Sequence, residues 1–381
     1  MSRWPGYIAL WATLLFSPVY PQIDWEFSGY VVDFPIYQNA HKILVGEGTN
    51  LFVNLSRLRL RPVVYVGNNT RLNLEYEIDA LYQSSALQFT PAEGAATRQY
   101  FRWRWSPVNE TRWKLVHFID RLYLRQDFAF GNVIIGRQRV AWGTGRIWNP
   151  TDLFNPLNPA NFQKIEKDGA DLVTVQFYLD NFTDVTLVWN PRRSPRAHNA
   201  GFRFRDHIGE YDWSLMGGVF DERIVVGGDF AGNLGDAGVR GEGMVSINRK
   251  AAGERFVRFV VGADYQFTSR VYALIEYQHN GEGRRDPRKY DVFGLLEGRL
   301  INLAQNYLFL QSLVQFSPLL NGALAWNQNI DDGSGFVLLT ASYSLTENAF
   351  LNAGLQLFYG RELDEYWYYP NSLFLQGEFY F

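Results

Sequence analysis

Apolar and polar residues alternate with a period of two along much of the chain, most clearly in residues 51–66 and 70–82. Successive side chains of a β-strand point to opposite faces, so this alternation predicts strands with one apolar and one polar face. Gly67-Asn68-Asn69 separates the two segments and predicts a hairpin turn. In the second segment the apolar face carries Leu72, Leu74, Tyr76, Ile78 and Ala80.

The polar faces of this hairpin carry opposite charges. Folding about Asn68 pairs three basic with three acidic residues, namely Arg57 with Asp79, Arg59 with Glu77 and Arg61 with Glu75. Cross-strand pairs of opposite charge stabilise a sheet. An exposed face of a soluble sheet is one explanation, but similar hairpins recur with an equally continuous apolar face. We therefore predict a membrane barrel with lipid outside and water inside.

The strand count is constrained by parity. A first count that includes Tyr100–Trp105 gives about 19 strands, whereas bacterial barrels generally have an even number, short periplasmic turns and long outer loops. Counting backward from Phe381 places every long connection outside until Tyr100 is reached. We therefore assign 101–105 and Arg112-Trp113 to an outer loop, as a hairpin above the membrane. The predicted fold is an all-β antiparallel transmembrane barrel of about 18 strands with both termini periplasmic.

The predicted domain organisation is one barrel over residues 22–381, preceded by a signal peptide at 1–21. Arg3 followed by a mostly apolar stretch at 7–16 favours export, although no A-x-A cleavage pattern follows. The long outer loops are expected at 34–50, 83–113, 141–169 and 281–301. A barrel this wide does not fill its interior with strand side chains, so it leaves a channel.

Composition agrees with a barrel. Aromatic residues make up 17% of the chain, and the mean hydropathy of -0.21 is too low for a helical membrane protein. A net charge of -3 argues against a nucleic-acid partner. The chain contains no Cys, which excludes thiolate metal sites.

The last strand, from Leu373 to Phe381, has Leu373, Leu375, Phe379 and Phe381 on one face. Its ending on Phe381 resembles the recognition signal of the barrel-assembly machinery, which we expect as a partner, together with outer-membrane lipid and lipopolysaccharide. The predicted location is the bacterial outer membrane. Nothing in the sequence sets an oligomeric state.

A resemblance to a known group covers residues 120–159. Gly136-Arg137-Gln138-Arg139-Val140-Ala141-Trp142-Gly143 and the later stretch Trp148 to Pro156 resemble large porin-like outer-membrane proteins related to the alginate-export barrels. That resemblance implies 16 to 18 strands and diffusion or export of an anionic or oligosaccharide solute. No substrate-binding residue of that group is matched to this chain.

Arginines that alternate with apolar positions are the candidate pore-lining residues. Facing lipid, each would cost roughly 2 to 4 kcal/mol at mid-membrane, which favours the lumen. They either attract anions or form a structural charge lattice with carboxylates of neighbouring strands. The predicted pore-lining set is Arg57, Arg59, Arg61, Glu75, Glu77, Asp79, Arg121, Arg125, Arg137, Arg139, Arg203 and Arg205.

The segment 141–169 is rich in Pro and predicts a stiff, turn-rich loop. It either folds into the lumen as a constriction or packs over the barrel mouth. In the first case Trp142, Arg146, Trp148 and Asp152 meet the passing solute.

Signals of catalysis are weak. The five His residues show no HExxH spacing and no nucleophile-elbow pattern occurs. We expect no catalytic residue, no metal and no cofactor, and interpret the chain as a porin or exporter rather than an enzyme. A non-transport barrel serving as scaffold or sheath, or in surface-polysaccharide assembly, is the alternative, with an outer-membrane hydrolase behind it.

Overall fold

The computed structural model describes residues 22–39, 50–85, 98–154, 166–194, 197–250, 253–296 and 300–381, so the predicted signal peptide lies outside the described residues. Eighteen antiparallel strands close into one barrel, and a nineteenth, β4, lies beside it. The strands are β1 Ile23–Asn39, β2 Asn50–Val66, β3 Thr70–Gln83, β4 Arg104–Asn109, β5 Trp113–Phe128, β6 Gly131–Gln138, β7 Ala170–Tyr178, β8 Asp184–Asn190, β9 Asn199–Ile208, β10 Tyr211–Phe220, β11 Arg223–Leu234, β12 Ala237–Asn248, β13 Arg255–Thr268, β14 Val271–Asn280, β15 Asn306–Gln315, β16 Leu320–Asn329, β17 Gly335–Ser344, β18 Ala349–Tyr359 and β19 Asn371–Tyr380.

The connections divide into two kinds, one at each end of the barrel. Turns such as 67–69, 129–130 and 235–236 join strands at the end where β1 begins and β19 ends. The long connections 84–112, 139–169 and 281–305 leave and rejoin the sheet at the other end, which is therefore the outer mouth. The predicted barrel class and count of eighteen are confirmed.

The short strand β4 corresponds to the segment that the requirement for an even number of strands excluded from the predicted barrel. Among the described residues it pairs with β5 alone, at positions such as Arg104 opposite Phe118, while β3 and β6 are the barrel neighbours of β5. Because β6 pairs with residues 122–128 of β5, β4 occupies the same edge of β5 nearer the outer mouth. The predicted outer hairpin therefore exists, and its second strand is the upper half of β5.

The predicted outer loop 34–50 begins too early. Residues 34–39 continue β1 and pair with residues 50–55 of β2. Pro35 is accommodated inside this strand, opposite Asn54. The first outer connection therefore starts after Asn39.

The outer surface of the barrel is apolar around its girth. Side chains such as Leu124, Ile135, Phe202, Ile275 and Leu339 are between 44% and 53% exposed. Their neighbours in sequence point inward and are mostly polar or buried. An apolar belt with a polar interior is the arrangement a bilayer requires, since every backbone group in it is paired within the sheet. No helix among the described residues is long and apolar enough to cross a membrane.

The barrel closes where β1 meets β19. The backbone of Gly29 donates to Phe381 O at 2.9 Å and accepts from Phe381 N at 3.0 Å. The Phe381 ring lies over Gly29, with its centroid 5.9 Å from that of Phe27. A Cβ at Gly29 would overlap the carbonyl oxygen of Arg59 and lie 2.7 Å from the Phe381 ring. The seam therefore requires glycine at this position.

Substituting Gly29 tests this seam. Gly29→Ala is expected to lower the free energy of unfolding by about 1–3 kcal/mol, because the added methyl group meets backbone that cannot move without breaking the sheet. Gly377→Ala is the matched control, since a Cβ there meets no atom within 4 Å. Unfolding in urea, followed by tryptophan fluorescence in lipid vesicles, measures both. Equal stability of the two variants would contradict the packing described.

Candidate functional site

The charged faces of β2 and β3 meet inside the barrel in the predicted register. Arg57 donates two hydrogen bonds of 2.8 and 2.9 Å to Asp79, and Arg59 lies 2.5 Å from Glu77. The Nε atom of Arg61 is 3.7 Å from Glu75. All three predicted pairs are therefore confirmed as contacts.

Further groups extend these pairs into a cluster of four arginines and five carboxylates, which we call the charge lattice. Asp120 stands at a bulge in β5 and binds Arg59. Glu166, which precedes β7, contacts three arginines of the wall. The charge lattice comprises Arg57, Arg59, Arg61, Arg121, Glu75, Glu77, Asp79, Asp120 and Glu166.

Three carboxylates of the charge lattice have the spacing of a metal site. Oxygen atoms of Glu75, Asp120 and Glu166 lie within 4.8 Å of one another. The guanidinium groups of Arg59 and Arg121 contact all three, so the negative charge is already compensated. The cluster is better explained as an ion-pair network than as a cation site.

Other predicted arginines are also paired on inward faces. Arg203 donates to both oxygens of Asp229 at 3.1 Å, and Arg205 binds Asp184 at 2.5 Å. Arg125 binds Asp127, two residues further along β5, at 2.8 Å. Of the two interpretations of the arginines, these contacts favour the structural one, in which they pair with carboxylates of the wall.

The prediction that Arg137 faces the lumen is wrong. It pairs across β5 with Leu122 and shares its face with Ile135, which is 52% exposed on the outer surface. Arg137 is 1% exposed, binds Asp171 at 2.9 Å and lies 4.7 Å under the ring of Trp103. The argument from lipid cost fails here because residues 101–103, directly before β4, cover this end of β6, and the neighbouring strand β7 supplies the carboxylate.

Arg139 follows β6 directly, and its side chain is exposed. No carboxylate among the described residues pairs with it.

The connection from β6 to β7, residues 139–169, is called the inward loop, and the structure describes 139–154 and 166–169 of it. Trp142 is buried against Phe154 and against Phe220 at the end of β10, with ring centroids 5.2 and 6.4 Å away. Trp148 is buried against Tyr307 and Phe309 of β15, each 6.0 Å away. The loop therefore reaches strands far from the one it leaves.

Two buried carboxylates of the wall hold the inward loop by its backbone. Glu276 of β14 is 0% exposed and accepts from the amides of Arg146, Ile147 and Trp148 at 2.8, 3.1 and 2.9 Å. Hydrogen bonds to an ionised acceptor are stronger than neutral ones.

Glu242 of β12 binds the loop in the same way, from a position two strands away. It accepts from the amides of Thr144, Gly145 and Thr151 at 2.6, 3.2 and 3.4 Å, and it is 4% exposed. Together the two carboxylates fix six peptide groups of the loop.

The loop therefore crosses the barrel. β14 lies eight strands from β6 in the ring of eighteen, almost at the opposite wall, and Glu276 stands midway along its strand. Asp152 is buried and binds Lys167 of the returning arm at 2.6 Å. Of the two predicted placements, these contacts support the one inside the lumen and not a loop resting on the rim.

Sequence reasoning missed both carboxylates that hold the loop. The alternation pattern predicts only that Glu276 and Glu242 are inward-facing residues of strands, and it gives neither of them a role. Their partners are peptide N–H groups, which carry no side-chain pattern. One sequence signal could have found them. Each is an inward-facing acidic residue, and no arginine stands opposite it on either neighbouring strand.

The four predicted constriction residues differ in exposure. Trp142, Trp148 and Asp152 are buried against the wall or within the loop, whereas the side chain of Arg146 is exposed. Its charge lies close enough to Arg240 of β12 for the two guanidinium groups to repel each other. Arg146 therefore presents positive charge at the narrowed section.

A second cluster ties outer loops together at the mouth. Glu365, in the β18–β19 connection, accepts from Tyr307 Oη at 2.5 Å, Asn329 Nδ2 at 2.9 Å and the Leu303 amide at 3.1 Å. Burial raises the pKa of Glu365 to about 7, against the hydrogen bond from Tyr307, which lowers it. The same cluster contains Asp332, which accepts from the Glu365 amide.

Comparisons with known proteins agree on the fold. The chain is similar to OccD3 (OpdP) of Pseudomonas aeruginosa, with a TM-score of 0.55, 10% identity, and coverage of 93% of this chain and 91% of that one. It is similar to OccAB1 of Acinetobacter baumannii, with a TM-score of 0.56, 11% identity, and coverage of 93% and 96%. No family model and no curated protein sequence matches the chain. At such identities the likeness establishes the barrel fold alone.

The closed sheet, its apolar outer belt and its charged interior define the class of protein. The chain is a transmembrane β-barrel protein of the bacterial outer membrane. The resemblance to the alginate-export group stays a prediction.

Removing the Glu276 carboxylate tests how the inward loop is held. Glu276→Ala is expected to leave the amides of residues 146–148 without their acceptor and to speed their hydrogen exchange by at least about tenfold, the equivalent of 1.4 kcal/mol. Mass spectrometry of the folded protein in detergent measures this exchange. Glu378→Ala, which removes an inward carboxylate of β19 bonded to Asn352 and Gln376, is the control. Equal protection of 146–148 in both variants would refute the described anchoring.

The raised pKa of Glu365 predicts a pH dependence of the outer mouth. The pKa of Glu365 is about 7 in the folded loop cluster and near 4.5 when the cluster opens. Between these two pH values the folded cluster therefore binds more protons than the opened one. The free energy needed to open the loop cluster is therefore at its maximum below pH 4.5, and it decreases as the pH rises to about 7. Hydrogen exchange of the Leu303 amide reports this opening. Glu365→Gln is expected to remove most of this dependence, and an unchanged profile would rule out Glu365 as its source.

Proposed function

We propose that the chain forms a water-filled channel for small anionic solutes, with oligosaccharides as a second solute class. The inward loop is the observation that carries this proposal. A wide barrel whose lumen is narrowed by one of its own long loops has the architecture of a selective pore.

A preference for anionic solutes rests on particular unpaired arginines of the lumen and not on the whole set of predicted arginines. Most predicted arginines are bound to carboxylates, so their fields largely cancel at a distance. Arg146 has no carboxylate partner among the described residues and stands on the loop that narrows the lumen. A guanidinium group in a narrow, poorly screened section attracts anions more strongly than one in open water.

Aromatic stacking gives less support to oligosaccharides. Trp142 and Trp148 are buried against Phe220 and Phe309, so their faces are not presented to a passing sugar. The anionic solute is therefore the first choice of the two classes.

Conductance of the purified protein in planar bilayers tests the channel. We expect stable open steps with a reversal potential that indicates anion preference. Silence from protein whose folded state is verified by its heat-dependent gel shift would refute the channel and favour the scaffold alternative.

Replacing Arg146 tests the proposed origin of selectivity. Arg146→Ala is expected to shift the reversal potential toward cations, and Arg146→Glu to shift it further, because the charge at the narrowed section is removed and then inverted. Arg288→Ala is the control, since Arg288 lies in an outer loop and is paired with Asp286. A reversal potential unchanged in both Arg146 variants would locate selectivity elsewhere in the lumen.

A further inference from the structure

Residues 360–370 connect β18 to β19 at the outer mouth, and part of this connection is buried. Glu365 and Tyr366 are 5% and 3% exposed, although they lie outside the sheet. Loops at the end of a sheet normally run over the surface, because buried polar groups need partners. The β18–β19 connection is therefore fixed against the wall and differs from a free outer loop.

The partners of the β18–β19 connection come from the neighbouring strands. Asp332 Oδ2 accepts from the Glu365 amide at 2.9 Å. Ser334 Oγ accepts from the Tyr366 amide at 3.2 Å. Tyr366 Oη accepts from Asn327 Nδ2 at 2.7 Å. These bonds join the connection to β16 and to the turn between β16 and β17.

Tyr307 of β15 is the side chain that the β18–β19 connection shares with the inward loop. Its hydroxyl donates to Glu365 Oε2 at 2.5 Å, and the residue is 0% exposed. Its ring lies 6.0 Å from the ring of Trp148 on the inward loop. Trp148, Tyr307 and Tyr366 belong to one buried apolar cluster. One residue of the wall therefore supports both segments.

This shared support couples the two segments. If the β18–β19 connection moves away from the wall, the hydroxyl of Tyr307 loses its carboxylate acceptor, and an unsatisfied buried hydroxyl is unfavourable. The ring then shifts toward another partner, which disturbs one of the rings that Trp148 packs against. Close-packed interiors transmit such a shift, so the disturbance reaches the inward loop.

We infer that the β18–β19 connection positions Arg146 at the narrowed section, acting through Tyr307 and Trp148. Arg146 lies two residues before Trp148, and the intervening Ile147 packs against the same cluster. Tyr307 and Glu365 are thus positioning residues for the selectivity of the pore, although both are buried. The effect on selectivity rests on the proposed channel, whereas the coupling of the two segments does not.

Two substitutions that each remove one hydroxyl group test this inference. Tyr307→Phe keeps the ring beside Trp148 and removes the hydrogen bond to Glu365. Tyr366→Phe acts within the β18–β19 connection and removes the bond from Asn327.

Tyr359→Phe is the matched control. It removes a hydroxyl at the outer end of β18 that is bonded to Trp326 and Gln328, and both of these residues lie outside the cluster. The heat-dependent gel shift verifies that each variant is folded.

Hydrogen exchange of the amides of residues 146–148, measured by mass spectrometry of the whole protein in detergent, is the first readout. We expect exchange to be about threefold faster or more in Tyr307→Phe, faster by a smaller factor in Tyr366→Phe, and equal to the wild type in Tyr359→Phe. The reversal potential in planar bilayers is the second readout. It is expected to shift toward cations in the same order.

Equal exchange in Tyr307→Phe and Tyr359→Phe would overturn the inference. Faster exchange with an unchanged reversal potential would also overturn it, since the loosened loop would not have moved the charge that sets selectivity. A silent wild type would refute the proposed channel, and the exchange rates alone would then confirm or refute the coupling of the two segments. If Tyr307→Phe does not fold, Tyr366→Phe provides the same comparison.

Discussion

The structure depends on one constraint: inside a bilayer, every backbone N–H and C=O must find its partner within the protein. The contact between Gly29 and Phe381 satisfies it by joining the first and last strands. Once the sheet is closed, alternate side chains must face lipid and water in turn. The apolar belt, the inward charges and the large lumen all follow from this closure.

A wide closed sheet leaves an interior that the strands do not fill, and the inward loop occupies it. Its peptide groups would be hydrated in an open lumen. Glu242 and Glu276 replace that water with six hydrogen bonds from fixed acceptors. The two glutamates define the path of the loop because each binds adjacent amides. At the returning arm, Glu166 joins the arginines of the opposite wall. The loop is thus held on both sides of the lumen.

Much of the barrel could be predicted from sequence, because closure imposes period two and an even strand count. The turn at Asn68 fixed the register of β2 and β3, and parity excluded the strand near Tyr100. Arg137 was misplaced because the lipid-cost argument holds only where lipid is present, and residues 101–103 cover this end of β6. The roles of Glu242 and Glu276 could not be predicted, since their partners are backbone amides brought from a distant loop. The signal peptide and the assembly partner stay predictions.

The inward loop crosses the lumen from β6 to the wall at β14, and distances measured across the barrel test this path most directly. The chain has no Cys, so paired spin labels can be introduced at chosen sites alone. Double electron–electron resonance in lipid bilayers would measure two distances from a label at position 146. One is to a label on the outer face at position 275 of β14, and the other is to a label at position 135 of β6. A shorter distance to Ile275 is predicted, although the loop leaves the barrel from β6. A shorter distance to Ile135 would show that the loop stays on the side of the barrel that it leaves and does not cross the lumen.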